Sequence, residues 1–172
     1  MPHSNLLEKF QYLFNPHNKP ILDLACGNGR NGLYLHNEGF PVQFLDKNST
    51  LLHDLQTQKD IQPQDCFHMD LETGERVLTS NQYQAILVFR YLHRPLIKQI
   101  KKAIEPGGII VYETFTIKNR QFGRPFRDDF LLQEHELKEM FSDWDCLHYF
   151  EGVETSPDRA IAQIICQKPN VN

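Results

Sequence analysis

The chain has 172 residues, 40% of them hydrophobic and 23% charged, a composition typical of one globular domain spanning residues 1–172. Its net charge of −4 argues against a protein that coats a polyanion, and no apolar run reaches the length of a transmembrane helix. The segment Met1 to Phe14 is too polar for a signal peptide, and neither the four cysteines nor the eight histidines have metal-ligand spacing. We therefore expect a cytoplasmic protein with reduced thiols, no metal and no membrane partner, as a monomer or weak homodimer.

The first part of the chain alternates predicted helices and strands. Ser4 is a good N-cap for a helix that runs to Phe14, and residues 1–19 form this helix and a linker. The next predicted elements are a strand at Ile21–Leu24, a helix at Asn31–Asn37, a strand at Val42–Leu45, a helix capped by Asn48 and a strand near Cys66–Met69.

The middle of the chain continues this alternation. The strand Tyr83 to Phe89 (YQAILVF) is almost continuously apolar, as expected of a strand covered on both faces. Pro95 opens a helix over Leu96 to Ile104, and a tight turn at 105–108 leads into a strand over Ile109 to Phe115. Strands that alternate with helices indicate a parallel sheet with helices on both faces.

The last third has a different pattern. A polar loop covers residues 116–130, and a helix is predicted at Gln133–Phe141. Two strands, Trp144–Phe150 and Ile161–Gln167, are joined by a short connection and should form an antiparallel hairpin. The predicted fold is therefore α/β: one doubly wound, Rossmann-like domain with a mostly parallel seven-stranded sheet and an antiparallel C-terminal edge hairpin.

A glycine-rich loop follows the first strand. Gly27, Gly29 and Gly32 have the G-x-G-x-x-G spacing of dinucleotide-binding turns, which let backbone N–H groups approach a pyrophosphate. Asp23 stands four residues before the first glycine, where a carboxylate would repel that anion. S-adenosylmethionine instead carries a cationic ammonium and sulfonium, so Asp23 favours it. Gly32 falls inside the first helical turn, and we expect it to be incidental to the site.

Two more acids follow the next two predicted strands. Asp46 closes the second strand, where it can accept from both ribose hydroxyls, and Asp70 follows the third, where it can accept from the adenine amine. Each acid alone could be a helix cap or turn residue. Three acids in register with the strand ends, however, are the pattern of a class I methyltransferase, and they predict S-adenosylmethionine as cofactor.

The sequence also resembles the small class I S-adenosylmethionine-dependent methyltransferases of the bacterial tellurite-resistance type. The likeness is strongest in Asp23–Leu35 and Asp46–Asn48, with further matches at Pro106-Gly107-Gly108, Glu136-Leu137 and Trp144-Asp145. The segments 89–96 and 116–130 depart from that type. The cofactor-binding residues that the resemblance and the strand ends imply are Asp23, Ala25, Cys26, Gly27, Asn28, Gly29, Arg30, Asp46, Lys47, Asp70, Leu71, Phe89 and Arg90.

Candidate catalytic residues follow the fourth strand. Tyr91 and His93 leave that strand beside the expected position of the cofactor sulfur, and either could act as a base or position the acceptor. The alternative is that His93 merely opens the helix at Pro95. The candidate substrate-binding residues are Tyr12, Arg124, Arg127 and Arg159.

Three functions remain open at this point. The first is a methyltransferase acting on a small molecule, with residues 116–130 as a substrate lid. The second is a tRNA or RNA nucleoside methyltransferase that uses the basic residues of this loop to bind phosphates. The third is a non-catalytic cofactor-binding subunit. The chain has no Asn/Asp-Pro-Pro-Tyr motif of amino-group methylation and no Pro-Cys dipeptide, which argues against several nucleic-acid enzymes.

Overall fold

The computed structural model describes residues 2–170, and in this range the strands form one seven-stranded sheet. Its order is β3-β2-β1-β4-β5-β7-β6. Neighbours from β3 to β5 are parallel, whereas β7 is antiparallel to both β5 and β6. The predicted fold class is confirmed. The strands are β1 (Ile21–Leu24), β2 (Val42–Asp46), β3 (Cys66–His68), β4 (Tyr83–Phe89), β5 (Ile104–Phe115), β6 (Asp145–Glu154) and β7 (Arg159–Gln167).

The helices are short, and two begin at the predicted caps. Ser4 Oγ accepts from the N–H of Leu6, and Asn48 Oδ1 accepts from the N–H groups of Thr50 and Leu51. None of the helices in the described range 2–170 has the length and apolar character needed to cross a bilayer. The helices are α1 (Asn5–Phe10), α2 (Arg30–Asn37), α3 (Ser49–Gln58), α4 (Ile97–Ala103) and α5 (Glu136–Met140).

Some element boundaries differ from those predicted. The first helix ends at Phe10 and tightens into a 3₁₀ turn over Gln11–Leu13. The residues 105–108 are not a separate turn before the strand, because β5 already begins at Ile104 and contains them as an irregularity in its pairing with β4. Gly107 has a φ of +79°, which glycine adopts without a steric penalty.

The sheet is covered on both faces, as the apolar sequence of β4 requires. All seven residues of β4 are buried. Leu6 and Leu7 of α1 pack in the same apolar cluster as Leu35 of α2 and Phe44 of β2, so the N-terminal helix is part of the core. The other face is covered by α4 and the segment that leads into β6.

The strand order reverses between β1 and β4. From β1 the sheet continues through β2 and β3 on one side, and from β4 through β5 on the other. In such sheets the crevice at the carboxyl ends of the two central strands binds ligands. The loops after β1 and β4 are therefore the place to look for a functional site.

Candidate functional site

The glycine loop makes a tight turn directly after β1. Ala25, Gly27 and Gly29 all have left-handed backbone angles, with φ of +52°, +57° and +76°. The N–H of Cys26 donates to the carbonyl of Leu45 (3.0 Å), which fixes the loop to the end of β2. The left-handed conformation is strained for Ala25, and such strain is typical of functional loops.

Asp23 lies beneath this loop. Its side chain is 3% exposed, and Oδ2 accepts from the N–H of Gly32 at 2.9 Å. Burial raises the pKa of Asp23 to about 7, against the lowering effect of the Gly32 N–H and of Arg30. Asp23 does not line the cavity described next.

Gly32 is expected from the sequence to be incidental to the site, and the structure shows that close packing requires a glycine at this position. A Cβ at this position would lie 2.5 Å from Phe44 Cε1 and 2.7 Å from Asp23 Oδ2. The helix α2 can approach the sheet this closely only without a side chain there. The third glycine of the pattern thus allows the helix to donate its N–H to Asp23.

A cavity of about 430 Å³ opens at the carboxyl ends of β1, β2 and β4. Asp46 is held at its edge, with Oδ2 accepting from the N–H of Gly27 and Oδ1 from the N–H of Asn48, both at 2.8 Å. Asp70 Oδ1 accepts from the N–H of Glu72 at 2.9 Å. The predicted cofactor residues that line the cavity are Ala25, Asp46, Lys47, Asp70, Leu71 and Arg90.

The other predicted cofactor residues support the loop or lie beside it. Cys26 is half-buried, and burial raises the pKa of its thiol, which favours a packing role over that of a nucleophile. Asn28 is exposed and accepts from the N–H of Arg30, and Phe89 is buried at the end of β4. Gly29 is the N-cap residue of α2, and a Cβ there would lie 2.9 Å from Leu55 Cδ2.

Tyr91 lines the cavity with its hydroxyl buried and, within residues 2–170, without a hydrogen-bond partner. Burial raises the pKa of Tyr91, and the neighbouring carboxylates of Glu72 and Asp70 raise it further. The hydroxyl therefore keeps its proton at neutral pH and can donate a hydrogen bond. A hydroxyl with a raised pKa suits a hydrogen-bond donor to a ligand better than the role of a base.

His93 does not line the cavity. Its Nδ1 lies 3.3 Å from Glu72 Oε1, and its carbonyl accepts from the N–H of Leu96 at the start of a 3₁₀ turn over Arg94–Leu96. This is the position expected of a residue that opens the helix. The predicted role of His93 as a base has no support from its placement.

Arg90 lines the first cavity and contacts the end of β5. It has a φ of +55° after the last residue of β4, and its guanidinium lies 5.6 Å from the centre of the Phe115 ring. The backbone N–H of Arg90 donates to the carbonyl of Glu113 at 2.8 Å. Burial lowers the pKa of Arg90, and the positive charges of Arg30 and Arg159 lower it further.

A second cavity, of about 700 Å³, lies between the start of α1 and the β6–β7 hairpin. It is markedly polar, and its walls include Arg30, Glu113, His148, Glu154, Arg159 and Gln163. Of the predicted substrate residues, Arg159 is here. Tyr12 is 74% exposed, and neither it nor Arg124 or Arg127 reaches either of the two cavities.

The loop 116–130 contacts the first cavity, and some of its basic side chains are paired with its own acids. Pro125 and Phe130 line the cavity. Arg120 is ion-paired with Asp128, and Arg127 is paired with Asp129 at 2.8 Å. Two of its basic side chains are thus neutralised within the loop itself.

Sequence reasoning missed part of the cavity lining. Thr114 and Phe115 of the first cavity, and Glu113 of the second, lie at the carboxyl end of β5. The predicted strand at Ile109–Phe115 could have indicated this end of the sheet. The contacts from the loop 116–130 carry no such signal. The lining residues outside the predicted set include Met69, Glu72, Leu92, Thr114, Pro125 and Phe130.

With this geometry established, comparison with known proteins identifies the family. The family described as "Tellurite resistance protein TehB" matches residues 2–158. The chain belongs to the TehB family.

One relative in the TehB family is "Probable S-adenosyl-L-methionine-dependent methyltransferase TehB" of Haemophilus influenzae. It is 28% identical over 145 residues, which cover 77% of this chain and 48% of the relative. The chain thus spans about half the length of the curated relatives it matches.

Two solved structures share the fold. The crystal structure of TehB from Haemophilus influenzae superimposes with a TM-score of 0.75 at 22% identity, covering 96% of this chain and 62% of that one. An S-adenosylmethionine-dependent methyltransferase from Methanosarcina mazei gives a TM-score of 0.73 at 15% identity, covering 99% of this chain and 100% of that one. At these identities the likeness establishes the fold.

Proposed function

We propose that the protein is an S-adenosylmethionine-dependent methyltransferase acting on a small-molecule acceptor. The observation that carries the proposal is the set of acids at the reversal point of the sheet, with Asp46 and Asp70 lining one cavity and Asp23 buried beneath its loop. The names of the TehB relative and of the structural neighbour support the same activity.

The residues around the first cavity fit the nucleoside part of this cofactor. Each carboxylate oxygen of Asp46 accepts one backbone N–H and keeps a lone pair for a ribose hydroxyl. Asp70 retains acceptor capacity for the adenine amine. The buried hydroxyl of Tyr91 lacks a partner within residues 2–170, and a ligand acceptor atom would satisfy it.

The methionine part fits the glycine loop and the start of α2. The backbone of residues 25–29 would lie against it, and Arg30 follows directly to hold its carboxylate. Asp23 favours a positive charge above the loop. When bound, the cofactor supplies an electrophilic methyl group on a sulfonium sulfur.

The protein's main contribution to such a transfer is to align the acceptor and exclude water. Pro125 and Phe130 cover the first cavity from the loop 116–130, which we propose is a lid over the site. The ion pairs of Arg120 and Arg127 within that loop neutralise two of its four basic side chains, which favours a lid over an RNA-binding surface.

Labelled cofactor tests this function directly. The protein is incubated with [methyl-14C]S-adenosylmethionine and a cell extract divided into small-molecule, RNA and protein fractions, and we expect label in the small-molecule fraction. Label in RNA that falls steeply with salt would support the nucleoside methyltransferase instead. Tight cofactor binding with no transfer to any fraction would indicate a non-catalytic subunit.

A further inference from the structure

We propose that Cys146 and Cys166 form a redox modification site, at which hydrogen peroxide oxidises the two thiols to a disulfide that joins the edge strand β6 to β7. Both residues carry free thiols in this structure. Neither residue lines either of the two cavities described above. The proposal therefore goes beyond the methyltransferase activity and does not depend on it.

The two cysteines are direct partners across two antiparallel strands. Cys146 of β6 pairs with Cys166 of β7 in the register of the sheet. Opposite residues of antiparallel strands have Cα atoms about 4.5 to 5.5 Å apart, and disulfides bridge Cα atoms about 4.4 to 6.8 Å apart. The backbone spacing therefore allows a disulfide without displacement of either strand.

An irregularity in β6 brings Cys146 to this position. Cys146 pairs with Cys166. His148, two residues later, pairs with Ile165, so Leu147 is an extra residue in β6. In a regular ladder Leu147 would oppose Cys166, and Cys146 would lie on the other face of the sheet. The bulge therefore presents a thiol to Cys166 in place of a leucine side chain.

The two thiols differ in their access to solvent. Cys166 is fully buried in the apolar cluster that includes Trp144, whereas Cys146 is exposed. Burial, the charge of Cys146 and a hydrogen bond between the two thiols together raise the pKa of Cys166 to about 12. An oxidant from solvent therefore meets Cys146 first, and Cys166 stays protonated at neutral pH until it reacts with its neighbour.

The reaction runs in two steps. The sulfur of Cys146 attacks one oxygen of hydrogen peroxide and becomes a sulfenic acid, while the O–O bond breaks and the other oxygen leaves as hydroxide, which takes up the proton lost from the thiol. The sulfur of Cys166 then forms the S–S bond as the S–O bond breaks, and the departing hydroxide takes the Cys166 proton. The two thiols lose two electrons in total, and one hydrogen peroxide is reduced to two water molecules.

The link would act on an edge strand of the sheet. Among the strands of residues 2–170, β7 is the only neighbour of β6. His148 and Glu154 of β6 line the second cavity, together with Arg159 and Gln163 of β7. A disulfide at the open end of this hairpin would keep β6 in register and so preserve that wall of the cavity under oxidising conditions.

The two other cysteines lack this geometry. Cys26 follows β1 and Cys66 begins β3, and β2 lies between these two strands. Neighbouring strands are about 4.8 Å apart, so two strands separated by a third are about 9.6 Å apart, which is beyond the reach of a disulfide. Cys26 and Cys66 therefore provide an internal comparison in the same chain.

The first test maps the thiols after oxidation. Reduced protein is exposed to hydrogen peroxide, its remaining thiols are blocked with iodoacetamide, and trypsin separates Cys146 from Cys166 at Arg159. Mass spectrometry should find the two peptides joined, and the Cys26 and Cys66 thiols alkylated. Cys146→Ser should abolish the link, whereas Cys66→Ser, the matched control on the other edge strand, should form it like wild type.

The second test measures the effect on β6 without any activity. Hydrogen–deuterium exchange of the β6 amides should slow by about tenfold or more when the wild type is oxidised, and dithiothreitol should reverse the change. Peroxide should not slow this exchange in Cys146→Ser. The wild-type measurement stands even if the variant folds poorly.

Three outcomes would overturn the proposal. They are a Cys146 that stays a sulfenic or sulfinic acid while Cys166 remains a thiol, a disulfide that joins two copies of the chain through Cys146, and a Cys146–Cys166 link that leaves the exchange of β6 unchanged. Neither test contains S-adenosylmethionine, so each of these outcomes leaves the proposed function untouched.

Discussion

Oδ2 of Asp23 accepts the N–H of Gly32 at 2.9 Å, and a Cβ on Gly32 would lie 2.7 Å from that same oxygen. Asp23 of β1 and Gly32 of α2 are therefore one structural unit. The absence of a side chain lets α2 press an N–H onto a carboxylate that is otherwise taken out of water. Gly32 is needed for the close approach of α2, and Asp23 accepts the N–H that this approach brings to it.

Gly32→Ala should destabilise the protein by about 2 kcal/mol, as overpacking at a rigid contact does. The new Cβ would meet Phe44 Cε1 at 2.5 Å, and both neighbours are buried, so the helix itself must shift. Urea unfolding measures the change. His36→Ala, on the exposed side of the same helix, is the control, and equal stability of the two variants would contradict the packing argument.

Asp23→Asn should stabilise the protein increasingly as the pH rises. An unfolded Asp ionises near 3.8, whereas burial raises the folded pKa of Asp23 to about 7, so wild-type stability falls as the pH rises from about 4 to 7. The Asn variant escapes this loss, which is on the order of 1.4 kcal/mol for each pKa unit. Urea unfolding at pH 5 and pH 8 should show a larger gain at pH 8. A gain independent of pH would contradict the assignment.

Asp46→Ala should weaken S-adenosylmethionine binding at least tenfold, about 1.4 kcal/mol, through loss of a charged hydrogen-bond acceptor. Isothermal titration calorimetry measures the affinity. Because Asp46 also accepts from Gly27 and Asn48, an unfolding curve must accompany the titration. Asp54→Ala on α3, away from both cavities, should bind like wild type, and an unchanged affinity in folded Asp46→Ala would remove Asp46 from the site.

Tyr91→Phe should separate binding from stability. Since the hydroxyl is buried without a partner within residues 2–170, its removal should stabilise the cofactor-free protein by about 1 kcal/mol. The same change should weaken S-adenosylmethionine binding about fivefold if the cofactor satisfies that hydroxyl. Tyr12→Phe, on an exposed ring, should change neither quantity. A variant that loses stability and keeps its affinity would mean that the hydroxyl has a structural partner instead.

The sequence was most informative where a pattern repeats along one element. The apolar run of β4 predicts a strand buried on both faces, and the caps at Ser4 and Asn48 predict helix starts that the structure confirms. The acids Asp46 and Asp70 could be placed because parallel strands end at the same edge of the sheet.

The second cavity could not be predicted in the same way. Glu113 and Gln163 are 50 residues apart and become neighbours only through the register of β5 against β7. A single polar residue in an apolar strand does not reveal its cross-strand partner. In the loop 116–130 the sequence shows Asp128 and Asp129 beside the basic residues, but which arginine pairs with which acid is set by the folding of the loop.

The two cavities are completed at different times during synthesis, because β7 contributes Arg159 and Gln163 to the second cavity and no residue to the first. The residues that line the first cavity all precede Leu131, so they have left the ribosome before β6 and β7 do. The lining of the second cavity is incomplete until Gln163 is made, and β6 has no neighbour in the sheet until β7 pairs with it. A nascent chain that ends before Arg159 therefore contains every residue lining the proposed nucleoside cavity and lacks both Arg159 and Gln163 of the second cavity.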